Sequence, residues 1–219
     1  MEDRQAPEGE SLRVERYGGT EYAGPEYTHS NFYLRGPDDD EGIFTELYVP
    51  TDWEGTLVIK LGWPDEPFRD APVSLLDRYL PLTVAQLSIL WGGPPENILL
   101  GMRYAATIPG LRSLRLLGYG DAGPDLLVAA AHFEGQVDRI AARWSSDYEG
   151  SDQPAGLQVR GDPRHFVGRC APTELVLFGR ASVPPAAQAA YTALGQPAGV
   201  RATLSVDYEA ISAWVAAEL

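Results

Sequence analysis

The sequence predicts an α/β protein. Degenerate strand-turn-helix units form a mainly parallel sheet with helices on one face, preceded by an N-terminal β-rich cap. Three observations carry this reading. Short apolar stretches with strand-like texture recur at 56–61, 86–90, 113–117, 174–178 and 202–206, and the first four run into a glycine turn. Proline then falls where a helix can begin, at Pro95, Pro124 and Pro185, because its fixed φ and missing N–H suit a first helical turn. Finally, Ile211, Trp214, Val215 and Leu219 recur at i, i+3, i+4 and i+8, the apolar stripe of a helix that packs on a core.

Taken in order, residues 1–11 are charged and aperiodic, and read as a disordered tail. Residues 12–54 form the acidic β-rich cap, with short strands at 12–17, 31–35 and 43–49 and a solvated turn at Pro37-Asp-Asp-Asp-Glu-Gly42. Residues 55–219 are the repeat domain, with helices expected at 71–80, 95–105, 124–133, 185–194 and 208–219. Gly135 and Gly195 are placed as helix stops, and Asp207 as the N-cap of the last helix. The pattern loosens between the third and fourth units. There 138–144 reads as a strand, 145–156 is polar, and 157–160 and 163–169 suggest a strand and a short helix.

Strand, short connection and helix in succession require parallel strands with at least one face covered. A sheet buried on both faces reads as continuous apolar runs, whereas an open face is mixed. Lys60, Ser88 and Arg115 stand among apolar neighbours on one face, which favours the one-sided arrangement; the alternative is a doubly wound sheet with helices on both faces. Leu111-Arg-Ser-Leu114-Arg-Leu116, with the shorter Leu87-Ser-Ile89 and Leu175-Val-Leu177, resembles the leucine-rich-repeat family over at most residues 55–135 and 174–219. That resemblance implies a one-sided array whose sheet face is open to a partner.

Composition narrows the function. The net charge is −14, and 14 Asp/Glu against 4 Arg give residues 1–54 a net of −10. Such acidity argues against nucleic acid or an anionic membrane as partner. A single cysteine, Cys170, permits no internal disulfide and reads as a small buried hydrophobe. The polar opening and the lack of a long apolar run point to a soluble, cytoplasmic protein.

The functional expectation is a non-catalytic protein-binding or scaffold module of the inhibitor or immunity type, not an enzyme, whose partner is basic at its contact surface. Its contact residues would be Trp63, Trp91 and Tyr119 just past their strands, with Lys60, Leu90, Arg115, Leu117, Phe178 and Arg180 beside them. One alternative is a nucleotide-binding enzyme. Gly118-Tyr-Gly120-Asp-Ala-Gly123 is a literal G-x-G-x-x-G that could let backbone approach a phosphate. However, Pro124 follows the third glycine, and no acidic residue is well placed about 20 residues on. Another alternative is a structural component of an assembly. No cofactor or metal is expected: Asp38, Asp39, Asp40 and Glu41 are adjacent rather than spaced as ligands, and His29, His132 and His165 are scattered.

Overall fold

The computed structural model describes residues 12–16, 22–23, 26–36, 42–62, 79–89, 95–120, 122–133, 135–144 and 163–218. Among the described residues, ten strands form one sheet. They are β1 (Arg13–Arg16), β2 (Tyr22–Ala23), β3 (Tyr27–Arg35), β4 (Ile43–Pro50), β5 (Thr56–Leu61), β6 (Ala85–Ile89), β7 (Ser113–Gly118), β8 (Arg139–Arg143), β9 (Glu174–Phe178) and β10 (Val200–Thr203). The helices among the described residues are α1 (Pro95–Ala106), α2 (Ala122–His132), α3 (Pro163–Arg169), α4 (Pro185–Ala193) and α5 (Tyr208–Ala216).

The sheet order is β1-β3-β4-β6-β5-β7-β8-β9-β10, with β2 paired to β3. The strands of the expected N-terminal cap therefore extend the same sheet. They pair antiparallel, β3 with β4 and β4 with β6, while every pairing from β6 through β10 is parallel. The chain starts the parallel part at β5, steps outward to β6, then returns past β5 to β7 and continues the other way. The reversal falls between β5 and β7, whose following connections leave in opposite directions.

Both faces of the parallel strands are covered, so the one-sided leucine-rich-repeat arrangement is corrected to a sheet covered on two faces. One face carries Leu57, Ile59, Leu61, Leu87, Ile89, Leu116, Ile140, Leu175 and Leu177, packed with Ile98 and Met102 of α1, Leu126 and Leu127 of α2, Val167 of α3 and Tyr191 of α4. The opposite face carries Val58, Leu117, Ala141 and Phe178 and is covered by Tyr208, Ile211 and Val215 of α5. Along β6 and β7 every residue is buried, the signature of a parallel sheet between two layers.

The polar residues that suggested an open face are buried within it. Lys60 and Arg115 are each 2% exposed and Ser88 is 3% exposed. Arg115 Nη1 donates to the carbonyls of Val215 at 2.7 Å and Ala217 at 2.5 Å, and its Nε donates to Ser113 Oγ. Arg139, directly opposite Arg115 on the neighbouring strand β8, donates to the carbonyls of Trp214 at 3.0 Å and Ala217 at 2.6 Å and pairs with Glu174 at 2.9 Å. The last carbonyls of a helix lack intrahelical partners and carry its negative end, so two guanidinium groups satisfy both needs at once. Burial, and then the neighbouring Arg139 charge, draw the Arg115 pKa down from its ordinary value. At its other end α5 is capped by Asp207, whose side chain accepts from the Ala210 N–H. In position and in kind that cap agrees with the sequence.

Glycine decides how closely α2 sits on the sheet. A Cβ on Gly123 would be driven into the backbone carbonyl of Arg143, which no rotamer change relieves. The variant Gly123→Ala is expected to lose about 3 kcal/mol or more of stability, read as the urea midpoint. Arg115→Met removes the bonds that hold the α5 carbonyls and is expected to cost about 2–4 kcal/mol in the same measurement.

Candidate functional site

In an open α/β sheet the crevice at a topological switch point, beyond the carboxyl ends of the strands, is where ligands bind. Here that crevice lies between β5 and β7 and is built from two glycine turns. Leu61 accepts the Tyr119 N–H at 2.9 Å, and Gly62, with φ +72°, lies so close that a Cβ would stand 2.7 Å from the Tyr119 carbonyl oxygen. After β7, Gly118 packs against Gly123, and Gly120 turns the chain at φ +49° into α2. This strand, sharp turn and helix place residue 120 at the edge of the sheet, with the positive end of α2 behind it.

The walls next to this turn are aromatic and cationic. Tyr119 is fully buried, and its hydroxyl shares a 2.8 Å hydrogen bond with Ser212 of α5. Its ring meets those of Tyr208 at 5.3 Å and Phe178 at 6.4 Å, both edge-on. Arg143, the last residue of β8, donates to the Tyr208 hydroxyl at 3.0 Å. One strand further, Arg180 follows Gly179, and its guanidinium lies over the Trp144 ring at 5.3 Å.

The residues expected to form an exposed partner rim lie elsewhere. Tyr119, Lys60, Arg115, Leu117 and Phe178 are buried between the sheet and its covering layer, so they make no surface patch, because α5 occupies the face they were assigned. Trp63, Leu90 and Trp91 lie outside the described residues, and among the described members of the set Arg180 stands at the rim. Gly118, Gly120 and Gly123, the nucleotide alternative, do come together at the switch point. The sequence reading missed Arg143 and Tyr208; a basic residue closing a strand and a tyrosine opening a helix give no local signal.

No histidine stands at this crevice among the described residues. His29 donates or accepts at 2.5 Å with Glu46, but β3 and β4 lie across the sheet, His29 four strands from β7 or about 19 Å away. His132 is exposed at the far end of α2, and the side chain of His165 lies outside the described residues. Among the described residues no group of three or more His, Cys, Asp or Glu is placed to hold a metal, and no helix is long and apolar enough to cross a membrane. Cys170 is buried, donating to Phe166 and Leu127 carbonyls, and burial pushes its thiol up to about 12 against a slight pull from Arg169. Burial raises Tyr191 in the same direction.

No family model matches the chain, and no curated protein matches it. Solved structures do. A glucuronoyl esterase from Solibacter usitatus superposes with TM-score 0.54 at 10% identity, covering 91% of this chain and 83% of that one. An acetyl xylan esterase from Paenibacillus sp. R4 gives 0.52 at 12% identity, covering 90% and 82%. A glucuronoyl esterase from Teredinibacter turnerae T7901 gives 0.51 at 13% identity, covering 87% and 68%. The shared feature is the fold, a mostly parallel α/β sheet of the hydrolase-like kind. It replaces the leucine-rich-repeat resemblance. The expectations of a non-catalytic scaffold and of a chain that is not an enzyme are corrected as well, because these superposed structures are titled esterases.

The buried thiol gives a prediction. Cys170 titrates higher in the folded chain than its ordinary value of 9.0, so its contribution to stability is complete below about pH 9 and is lost as pH rises towards about 12. Tyr191 acts in the same sense. Urea midpoints across that range are expected to fall, and an aromatic disulfide reagent at neutral pH is expected to label Cys170 only in denaturant.

Proposed function

We propose that the chain is a hydrolase of carboxylic esters, with its site at the crevice between Gly62 and the Gly118–Gly120 turn. The observation that carries this is the turn itself. Hydrolases of this architecture expose their nucleophile on a sharp strand-to-helix turn written G-x-S-x-G, and Gly118-Tyr-Gly120-Asp-Ala122 occupies such a turn at the switch point. The esterase titles of the superposed structures support the same chemistry.

The central position holds glycine where that motif has serine, so no acyl-enzyme can form on residue 120. Attack then falls to water. Its oxygen adds to the ester carbonyl carbon, the carbonyl oxygen gains negative charge, and the alkoxide leaves with the proton that water gives up. The positive end of α2 stabilises the oxyanion, as backbone dipoles do at such turns. Tyr208, held by Arg143 beside the turn, is a hydroxyl positioned to carry the proton. A glycine at φ +49° also leaves room for the carbonyl to approach backbone closely.

The test is turnover of 4-nitrophenyl acetate. The reading predicts saturable hydrolysis at least about tenfold above the uncatalysed rate. A fluorophosphonate probe should leave the wild type unlabelled. Tyr208→Phe is expected to slow turnover with little change in the melting temperature. Absence of saturable turnover on this and longer-chain aryl esters would overturn the reading. The variant Gly120→Ser places a hydroxyl at the turn at a backbone cost of about 1–2 kcal/mol and, with no histidine at the crevice among the described residues to activate it, is expected to stay unlabelled by the probe.

A further inference from the structure

We propose that the chain pairs with a second copy of itself along the open edge of β10, so that two sheets join into one. Among the described residues β10 is the last strand on its side, and its parallel ladder to β9 leaves its other edge unpaired. The Leu175 N–H donates to the Gly199 carbonyl and the Arg180 N–H to the Thr203 carbonyl. Alternation along the ladder therefore turns the backbone of Arg201 and Thr203 towards β9, and the N–H and C=O groups of Val200 and Ala202 outward. Such an edge is a template for another strand unless charge, proline or a covering segment guards it.

The two ends of this sheet differ in that respect. At β1, Arg13 and Glu15 are exposed, and the strand lies in the segment of net charge −10. At β10 the acidity is gone. From Leu175 to Val206 the chain holds no Asp or Glu, although the whole sequence holds 31, and its only charges are Arg180 and Arg201. Helix α4 carries no charged residue and packs beside the start of β10, where a Cβ on Gly199 would stand 3.0 Å from the Tyr191 ring. Two chains of net charge −14 repel one another, and this edge is where they can meet with least repulsion. Exposed leucines flank it: Leu194 is 56% exposed ahead of β10, and Leu204 is 69% exposed directly after it.

The register follows from the side chains. A two-fold axis at Ala202 sets the outward residues opposite one another, Ala202 against the partner's Ala202 and Val200 against the partner's Leu204. Arg201, whose guanidinium lies over Trp214 at 5.3 Å on the α5 face, then stands opposite the partner's Thr203. A slip that opposed Arg201 to the partner's Arg201 would place like charges together, which destabilises a strand pair. Antiparallel order also carries each Leu204 to the end of β10 at which the partner's Leu194 is exposed, so both leucines gain cover.

The test is sedimentation equilibrium of the full chain at about 1–100 µM, a range that spans micromolar dissociation constants. A dimer of twice the 23.8 kDa chain mass is expected, tightening with added sodium chloride because salt screens the repulsion between copies. Leu204→Lys should weaken it by about tenfold or more, the effect of charging an apolar contact in an interface. Ala202→Pro removes an outward N–H that β9 does not use and should yield a monomer, since proline is tolerated on the free side of an edge strand. Leu204→Lys alters only an exposed side chain and decides the matter if the proline variant fails to fold. Ala202→Cys should crosslink the copies on oxidation, because residues in a hydrogen-bonded antiparallel pair stand about 5.5 Å apart at Cα, within disulfide reach. Cys170 is buried and does not compete. A monomer throughout the range, a dimer unmoved by Leu204→Lys, or assembly beyond the closed dimer would overturn the proposal.

Discussion

The rest of the structure depends on the contact between the first turn of α2 and the backbone of β8. Gly123 lies where any Cβ would enter the Arg143 carbonyl, and Gly62 brings the turn after β5 against Tyr119 in the same way. These two approaches draw α2 and the adjacent turns onto the ends of β5, β7 and β8. They thereby create the crevice at the one place where the strand order reverses. Larger residues would separate the layers there by a methyl group or more, and close packing tolerates little of that. The glycines that look like a phosphate loop in the sequence are therefore first a packing device, and a ligand site because of where the topology puts them.

The opposite face is governed by a different constraint. A buried row runs Glu46, Ser88, Lys60, Leu117 and Ala141 across β4, β6, β5, β7 and β8, and Arg115 and Arg139 stand in the next row. Such a face would be costly to bury were its charges unmatched. The two arginines are matched by the carbonyls that α5 leaves unpaired at its carboxyl end, while Tyr119 and Arg143 engage Ser212 and Tyr208 at and near its start. The helix is thus located by polar contacts as well as by Ile211 and Val215, and it is this helix that carries Tyr208 to the rim.

Most of the elements were legible in the sequence, because their period and punctuation are local properties. The strands at 56–61, 113–117 and 174–178, the proline-started helices α1 and α4, and the Asp207 cap follow from residues within a few positions of each other. Sheet order was not legible. Nothing local says that β6 lies between β4 and β5, and the crossover decides both the fold and the site. The face assignment went wrong for a physical reason: Lys60, Ser88 and Arg115 are polar and buried together, and a pattern rule reads polar as exposed. Of the site, the Gly118–Gly123 turn was visible as a motif, whereas Arg143 and Tyr208 acquire meaning only once β8 and α5 are seen to converge.

The central claim is that the carboxyl edge of the sheet, at the β5/β7 crevice, is where this protein meets its substrate. An open cleft of about 640 Å³ lies at the other edge, between Gly135–Asp138, Thr173 and Gly195–Gly199, and offers the competing location. Amide chemical-shift mapping during titration with phenyl acetate decides between them most directly. The account predicts shifts at Gly62, Gly118, Tyr119, Gly120, Ala122 and Gly179. Shifts confined to Gly135–Asp138 and Gly195–Gly199, or none at the Gly118–Gly120 turn, would contradict it.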